Sequence, residues 1–146
     1  MTEPAPCDIL IVEDNPDDAE LMLRALRRGR LLNRVTVLED GAAALEYLVG
    51  RDGGPGGVSP PPRVVFLDLK LPKLSGLEIL ARLRADARTS KIPVVVITSS
   101  REEPDIEAAY RLGVNSYVVK PVAFEAFVES MSAIGVYWMA LNTPTG

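Results

Sequence analysis

Residues with reactive or metal-binding side chains stand at the ends of several apolar runs in this sequence. They are Glu13 and Asp14 after ILIV, Asp68 after VVFL, Thr98 and Ser99 after VVVI, and Lys120 after YVV. If these runs are strands of one parallel sheet, their carboxyl ends meet at one edge, where such sheets bind ligands. The spacing therefore predicts that three carboxylates, two hydroxyls and an ammonium group converge at that edge.

The chemistry open to such a set involves a cation and phosphate. Three carboxylates at one edge would repel one another unless a cation or ligand offset their charge. The chain contains no histidine, so the ligands would be oxygens, which favours a hard cation such as Mg²⁺. A carboxylate can attack phosphorus and form an aspartyl phosphate, while a lysine and a hydroxyl hold the phosphate oxygens. Asp68 is the predicted nucleophile, because it lies between the acids of the first strand and the Thr98 and Lys120 of later strands.

The elements that must position these residues alternate along the chain. Apolar, β-branched runs predict five strands, and segments of helical period separate them. The strands are predicted in CDILIV, RVTVLE, RVVFLD, IPVVVITSS and SYVVK, and the helices over 16–28, 41–49, 76–85, 103–112 and 124–142. This pattern predicts an α/β fold of (βα)5 type, with a doubly wound parallel sheet of strand order 2-1-3-4-5.

Two segments do not fit a simple alternation. Residues 50–62 contain five glycines and four prolines, which predicts an exposed loop: a tolerated surface insertion or a contact for a partner. The helix over 124–142 has an apolar stripe for the core and further apolar residues on other faces, which predicts a dimer or partner surface. That surface would contain Val136, Tyr137, Trp138 and Met139. The alternative is that Tyr137 and Trp138 cover the end of the protein's own core.

Composition limits the classes of function. A chain of 146 residues with 47% hydrophobic content predicts one domain over 1–146. The net charge of −4 offers no basic surface for nucleic acid, and no segment reads as a signal peptide or membrane span. One cysteine, Cys7, cannot form an intrachain disulfide, which agrees with a cytoplasmic location.

Taken in order, these residues resemble the receiver domains of two-component response regulators. The resemblance covers nearly the whole chain and rests on four motifs. They are Glu13 and Asp14 in LIVEDNPDD, Asp68 with Pro72 and Gly76 in LDLKLPKLSG, Thr98 in VVVITSS, and Tyr117, Lys120 and Pro121 in YVVKP. The resemblance implies a flavodoxin-like fold and a phosphoacceptor signalling protein rather than an enzyme.

The resemblance also implies roles for single residues. Asp68 would accept a phosphoryl group from a phosphohistidine on a partner histidine kinase, and Lys120 would grip the phosphate. Mg²⁺ would be held by Asp14, Asp68 and the backbone carbonyl of Lys70, and by Glu13 either directly or through water. A cis peptide bond is expected between Lys120 and Pro121.

The resemblance further implies how the protein signals. Thr98 would be drawn toward the phosphate and Tyr117 would turn inward, as parts of a two-state equilibrium. The tail and the 50–62 segment are similar to single-domain regulators that accompany phytochrome-type histidine kinases, where a homodimer is expected. The phosphorylated protein would act on a downstream protein partner or drain phosphate from its kinase.

Two other hypotheses remain open from the sequence. An aspartate-dependent phosphatase of the haloacid dehalogenase kind also places an aspartate at a strand end, but its motif is Asp-x-Asp, and Lys70 stands at the second position here. A receiver-like scaffold that is never phosphorylated would keep the fold without the chemistry.

Overall fold

Five parallel strands form one sheet in a computed structural model that describes residues 4–28, 34–51 and 56–142. The order is β2-β1-β3-β4-β5, which confirms the predicted fold class. The strands are β1 (Ile9–Val12), β2 (Val35–Leu38), β3 (Val64–Leu67), β4 (Val94–Thr98) and β5 (Ser116–Val119). The helices are α1 (Pro16–Arg28), α2 (Gly41–Val49), α3 (Gly76–Ala85), α4 (Glu103–Arg111) and α5 (Phe124–Val136), followed by a π-helical turn (Tyr137–Leu141). Over the described ranges, no helix combines the length and apolar character needed to cross a membrane.

The sheet has a core on each of its two faces, because successive side chains of a strand point to opposite faces. Leu10, Val65 and Val96 lie in a cluster with the buried residues of α2, α3 and α4. Their strand neighbours Ile11 and Phe66 lie in the other cluster, with the buried residues of α1 and α5. The central strands β1, β3 and β4 are therefore buried on both faces, whereas the edge strands β2 and β5 are half-buried.

The first turns of α1 and α3 are fixed by side-chain caps at the carboxyl edge of the sheet. The Asn15 side chain accepts hydrogen bonds from the backbone N–H groups of Asp17 and Asp18, at 2.9 and 3.2 Å. The Ser75 hydroxyl accepts one from the N–H of Glu78 at 3.3 Å. Such caps satisfy N–H groups that have no partner within the helix. They hold both helix starts beside the strand ends that carry the acidic residues.

Gly76, the first residue of α3, is packed against the backbone that follows β3. Its N–H donates to the carbonyl of Leu69 at 2.8 Å. A Cβ at position 76 would lie 2.3 Å from the carbonyl oxygen of Asp68 and 2.8 Å from Cα of Leu69. Glycine therefore allows the close approach that fixes the backbone of Asp68.

Gly76→Ala is expected to lower the free energy of unfolding by about 1–3 kcal/mol, because the new methyl group must displace backbone atoms. Without that clash, the same change would stabilise the helix by roughly 0.5–1 kcal/mol, since alanine is the better helix former. Urea unfolding measures the free energy of unfolding of the variant, and the sign of its change distinguishes the two effects. A more stable variant would show that the contact between Gly76 and the backbone of Asp68 is not tight.

The segment over 50–62 is only partly the exposed loop that was predicted; residues 52–55 lie outside the described ranges. Val58 and Pro62 are buried, so the prediction is wrong for these two residues. The Val58 N–H donates to the carbonyl of Tyr47 at 2.8 Å, which ties the segment to α2. Burial of a valine side chain is favoured by the hydrophobic effect. The glycines and prolines around Val58 predict only a loop, so the sequence did not indicate that this residue is buried.

The C-terminal end of α5 differs from the predicted regular helix. After Val136 the chain forms a π-helical turn, in which the N–H of Asn142 donates to the carbonyl of Tyr137 at 2.7 Å. Trp138 and Met139 are 8% and 7% exposed and belong to the core. Their assignment to a dimer or partner surface is therefore wrong, because they stand seven and eight residues after buried Met131, a spacing that puts them on the buried face of the helix. Tyr137 remains 49% exposed.

Candidate functional site

Three carboxylates converge where β1 and β3 end. The two strands are neighbours in the sheet, and the Asp68 N–H donates to the carbonyl of Val12 at 3.1 Å. Carboxylate oxygens of Glu13, Asp14 and Asp68 all lie within 4.8 Å of one another. Glu13 and Asp68 are buried, whereas Asp14 is exposed. The predicted acidic cluster is thus present, with one member open to solvent.

Lys120 reaches this cluster from the edge strand β5. Its backbone N–H donates to the carbonyl of Thr98 at 2.8 Å, which fixes the start of the side chain. The ammonium group lies 2.6 Å from Glu13 Oε1, 2.8 Å from Asp18 Oδ2 and 3.1 Å from Asp68 Oδ2. The side chain is only 11% exposed, so these contacts are little screened by water.

Asp18 was not predicted as a member of the site. It lies in the first turn of α1, where acidic residues are common because they interact well with the helix dipole. The position of Asn15 as the helix cap could have indicated Asp18. Asp18 is the third residue of α1 after this cap, and a residue there lies above the edge of the sheet when the helix starts at a strand end. Three carboxylates, those of Glu13, Asp18 and Asp68, therefore contact one ammonium group.

The carboxylates of the site carry more negative charge than the single ammonium group of Lys120 can balance. Burial raises the pKa of Glu13 to about 7, and although the ion pair with Lys120 opposes this shift, the negative charge of Asp68 adds to it. Burial disfavours the charge on Lys120, but its hydrogen bond to Asp18 and the negative charges of Glu13 and Asp68 outweigh this effect and raise the pKa of Lys120. The lysine is thus held in its charged form, and it cannot neutralise the whole cluster.

The residues fit a hard divalent cation. Glu13 Oε1 is completely buried and accepts no hydrogen bond of good geometry, although the Lys120 ammonium lies close to it. That ammonium group is shared with Asp18 and Asp68, so negative charge is left over at this edge, which a divalent cation would balance. All the nearby donors are carboxylate oxygens, which suit Mg²⁺ better than softer metals. The role of the Lys70 carbonyl stays a prediction; the Lys70 N–H donates to Asp68 Oδ1 at 3.3 Å.

Glu13→Gln is expected to have opposite effects with and without metal. Without divalent cation the variant should be more stable than the wild type, because a neutral amide is cheaper to bury than a carboxylate beside Asp68. With Mg²⁺, the rise in melting temperature should shrink, since the affinity falls at least about tenfold when a ligand is lost. Thermal melts in EDTA and in a Mg²⁺ series measure both effects.

The control for this experiment is Asp17→Asn, which removes an exposed carboxylate from the first turn of α1. Its response to Mg²⁺ should match that of the wild type. An undiminished Mg²⁺ response in Glu13→Gln would remove Glu13 from the metal site.

Thr98 and Tyr117 lie on β4 and β5, the last two strands of the sheet. Thr98 ends β4 and is fully buried. Tyr117, on β5, is half-buried and donates its hydroxyl hydrogen to the carbonyl of Ser100 at 3.0 Å. Burial raises the pKa of Tyr117, although the hydrogen bond to Ser100 acts against the shift. The contact with Ser100, in the loop after β4, was not predicted.

The bond between Lys120 and Pro121 is trans, so the expectation of a cis bond is wrong. Within the described ranges a cis bond is found only between Ser59 and Pro60. Trans is the ordinary state of a bond before proline, by roughly 0.5–1 kcal/mol. In this structure Lys120 makes all its contacts with carboxylates from the trans arrangement.

Comparison with known proteins gives consistent results. The family model described as "Response regulator receiver domain" matches residues 9–132. The chain is 42% identical over 97% of its length to the probable methanogenesis regulatory protein FilR2 of Methanothrix harundinacea, of which the match covers 89%.

Two solved structures are similar over 97% of this chain and 100% of their own. The Mn²⁺-bound form of the response regulator Rcp1 superposes with a TM-score of 0.86 at 33% identity. The phosphorylated cyanobacterial phytochrome response regulator RcpA also gives a TM-score of 0.86, at 34% identity. One of these proteins thus binds a divalent metal, and the other has been observed in a phosphorylated form.

Proposed function

The chain belongs to the response regulator receiver domain family, and we propose that it accepts a phosphoryl group on Asp68 from a partner histidine kinase. The observation that carries this proposal is the position of the Asp68 carboxylate. It lies at the end of a buried strand, within 4.8 Å of the carboxylates of Glu13 and Asp14 and 3.1 Å from the Lys120 ammonium group. A rigid strand end holds the nucleophile in place, and the neighbouring groups can balance the charge that arrives with phosphate.

In the proposed reaction an Asp68 oxygen attacks the phosphorus of a phosphohistidine. The new O–P bond forms as the N–P bond to the imidazole breaks, and the kinase histidine leaves. The Lys120 ammonium group, which contacts Glu13 and Asp18 before the transfer, then also binds the phosphoryl oxygens and stabilises their negative charge. The protein is changed by the transfer and acts as a phosphoacceptor, so it does not turn over a substrate of its own.

Glu13, Asp14 and Asp68 would hold a Mg²⁺ ion, with the Lys70 carbonyl as a further ligand. When bound, the ion supplies positive charge to phosphoryl oxygens that the acidic cluster would otherwise repel. The exposed side of Asp14 leaves an open approach for a donor. Buried Glu13 contributes the oxygen that lacks a hydrogen bond.

Phosphorylation would be detected by Thr98 and Tyr117. A Thr98 hydroxyl that donates to a phosphoryl oxygen makes a contact that exists only in the phosphorylated state, and such a differential contact is what shifts a two-state equilibrium. Tyr117 would follow by turning inward. The half-buried position of Tyr117 beside the loop after β4 supports this assignment.

We assign the partner kinase to the phytochrome type, which the likeness to RcpA supports. The protein would then work in the cytoplasm and signal to a downstream protein. The net charge of −4 favours a protein partner over nucleic acid, because nucleic-acid affinity depends largely on lysine and arginine contacts to phosphates.

The test of the proposal is incubation of the folded protein with acetyl phosphate, with and without Mg²⁺, followed by intact-mass measurement. We expect one labile phosphoryl group per chain, formed only with Mg²⁺. No adduct would favour a receiver-like scaffold that is not phosphorylated. Release of phosphate far beyond one equivalent per chain would instead favour a phosphatase.

We also propose that the protein associates with itself or a partner through apolar residues of α4, α5 and the loop before α5. Within the described ranges, the large apolar side chains that are exposed are Tyr110, Val122, Phe124 and Tyr137. Half-buried Val136 borders Tyr137. Three of these side chains are aromatic, a type enriched at protein interfaces, and this set replaces the buried Trp138 and Met139.

Tyr137→Ser is expected to weaken homodimerisation by at least about tenfold, because aromatic side chains dominate binding energy at interfaces. Sedimentation over a concentration series measures the dissociation constant. Ala140→Ser is the control, since Ala140 is exposed in the same turn but offers little apolar area. Equal dimerisation of both variants and the wild type would exclude Tyr137 from the interface.

A further inference from the structure

A cavity of about 380 Å³ lies at the amino edge of the sheet. The residues that line it include three that directly precede strands: Arg63 before β3, Pro93 before β4 and Asn115 before β5. Because all strands are parallel, their amino ends lie at the edge opposite to the carboxyl ends, so the cavity is separate from Asp68. Its volume is in the range of small-molecule sites, about 300–1,000 Å³.

The walls of the cavity are largely apolar. They include Pro61, Pro62, Ile92, Pro93 and Trp138. A proline side chain has almost no rotamer freedom to lose when a ligand contacts it, and burial of apolar ligand surface against such walls is favourable. The cavity is therefore suited to the apolar part of a small molecule.

Three cationic residues line the same cavity: Arg63, Arg88 and Lys91. Arg88 is paired with Asp86, with 2.7 Å between Nη2 and Oδ2. Among the residues that the structure describes, Arg63 and Lys91 form no ion pair, and no acidic residue lines the cavity. In a chain with a net charge of −4, this cavity thus offers two positive charges to an anion.

Arg84 holds two of the lining residues, Ile92 and Asn115, in place. Its guanidinium group donates to the carbonyls of Ser90 and Ile92 at 3.1 and 2.9 Å, and to Asn115 Oδ1 at 3.2 Å. The backbone on both sides of Lys91 is therefore fixed before any ligand binds, which lowers the entropic cost of binding. Within the described structure Arg84 donates only to neutral oxygens, so its charge adds to the positive potential of this edge.

We propose that this cavity binds a small organic anion, in which an apolar body carries a carboxylate or a phosphate. The apolar body contacts the prolines and Trp138, and the anionic group pairs with Arg63 and Lys91. Both parts are needed, because exposed ion pairs alone contribute little to affinity. The inference does not depend on phosphorylation of Asp68, which lies at the other edge of the sheet.

The test follows the indole N–H of Trp138 by NMR in the full chain. Trp138 is the only tryptophan of the sequence, so a single signal reports on the cavity. The probes are 1-naphthyl phosphate, 1-naphthoate, uncharged 1-naphthol and inorganic phosphate, and EDTA keeps metal ions from drawing anions to the acidic cluster. We expect a saturable shift with a naphthyl anion, about fivefold weaker binding of 1-naphthol, as expected for loss of two exposed ion pairs, and no saturable shift with inorganic phosphate.

The double variant Arg63→Gln/Lys91→Gln removes the two charges from exposed positions and should remain folded. It should bind the naphthyl anion about fivefold more weakly than the wild type and bind 1-naphthol equally well. Arg24→Gln/Arg101→Gln is the control, because it removes the same charge from two exposed arginines that do not line the cavity. This control should bind the naphthyl anion as the wild type does.

A response to only one of the two naphthyl anions would support the site and identify its anionic group as phosphate or carboxylate. The proposal would be overturned if no probe shifts the Trp138 signal of folded protein, or if the two double variants bind the naphthyl anion equally well. Equal affinities for 1-naphthol and the naphthyl anions would also overturn it, because Arg63 and Lys91 would then contribute nothing. Labelling of Asp68 with acetyl phosphate is measured separately, so each of these results leaves the proposed function as it stands.

Discussion

Asp68→Asn will abolish the phosphoryl adduct that the wild type forms with acetyl phosphate and Mg²⁺. The amide nitrogen and oxygen of asparagine are poor nucleophiles, so the variant has no nucleophile at the end of β3. Loss of one negative charge also weakens the cation site. Intact-mass measurement should show no adduct above background in the variant.

The variant should remain folded, which makes its failure to react informative. Removing the Asp68 charge relieves repulsion with Glu13, so the melting temperature should be equal to or above that of the wild type. Asp17→Asn, which changes an exposed acid of α1, should take the adduct at the wild-type level. Equal labelling of Asp68→Asn and the wild type would assign the reaction to another residue.

Lys120→Met is expected to cause the largest loss of stability among single changes in the site. The ammonium group contacts the carboxylates of Glu13, Asp18 and Asp68, and its removal leaves them without a compensating charge. Breaking a buried ion pair by removing one partner costs about 3–5 kcal/mol. Urea unfolding in EDTA should show a loss of this size.

Mg²⁺ should restore more stability to Lys120→Met than to the wild type, because the ion no longer competes with the ammonium group for the same carboxylates. Lys120→Arg keeps the charge and should lose less stability in EDTA. Adding Glu13→Gln to Lys120→Met should recover part of the lost stability, since the effects of substitutions at neighbouring charged residues do not simply add. An unchanged free energy of unfolding in Lys120→Met would contradict the contacts assigned to Lys120.

The residues that stand directly after the ends of strands were the part of the site that the sequence predicted best. Glu13, Asp14, Asp68 and Lys120 each come directly after an apolar run, and parallel strands bring such positions together at one edge. Asp18 could not be found in this way, because its place depends on where α1 begins and how it crosses the edge of the sheet. That geometry comes from the Asn15 cap and from packing against α5.

The contacts of Ser100 and the burial of residues after α5 could not be predicted from the sequence, for different reasons. A serine in a loop gives no periodic signal, and its bond to Tyr117 joins segments that are distant in the chain. Trp138 and Met139 were assigned to a dimer or partner surface because the end of the last helix carries apolar residues on several faces. The apolar pattern alone did not show which of these faces packs on the core, because no charged residue after Glu129 marks the side that faces solvent.

The measurement that most directly tests the central claim is chemical trapping of the acyl phosphate. The protein is incubated with acetyl phosphate and Mg²⁺, reduced with borohydride, and sequenced by tandem mass spectrometry. Reduction of an aspartyl phosphate leaves homoserine in place of the aspartate, and we expect homoserine at position 68 alone, only when Mg²⁺ was present. Homoserine at another position, or none in folded protein, would contradict the assignment of Asp68 as the phosphoacceptor.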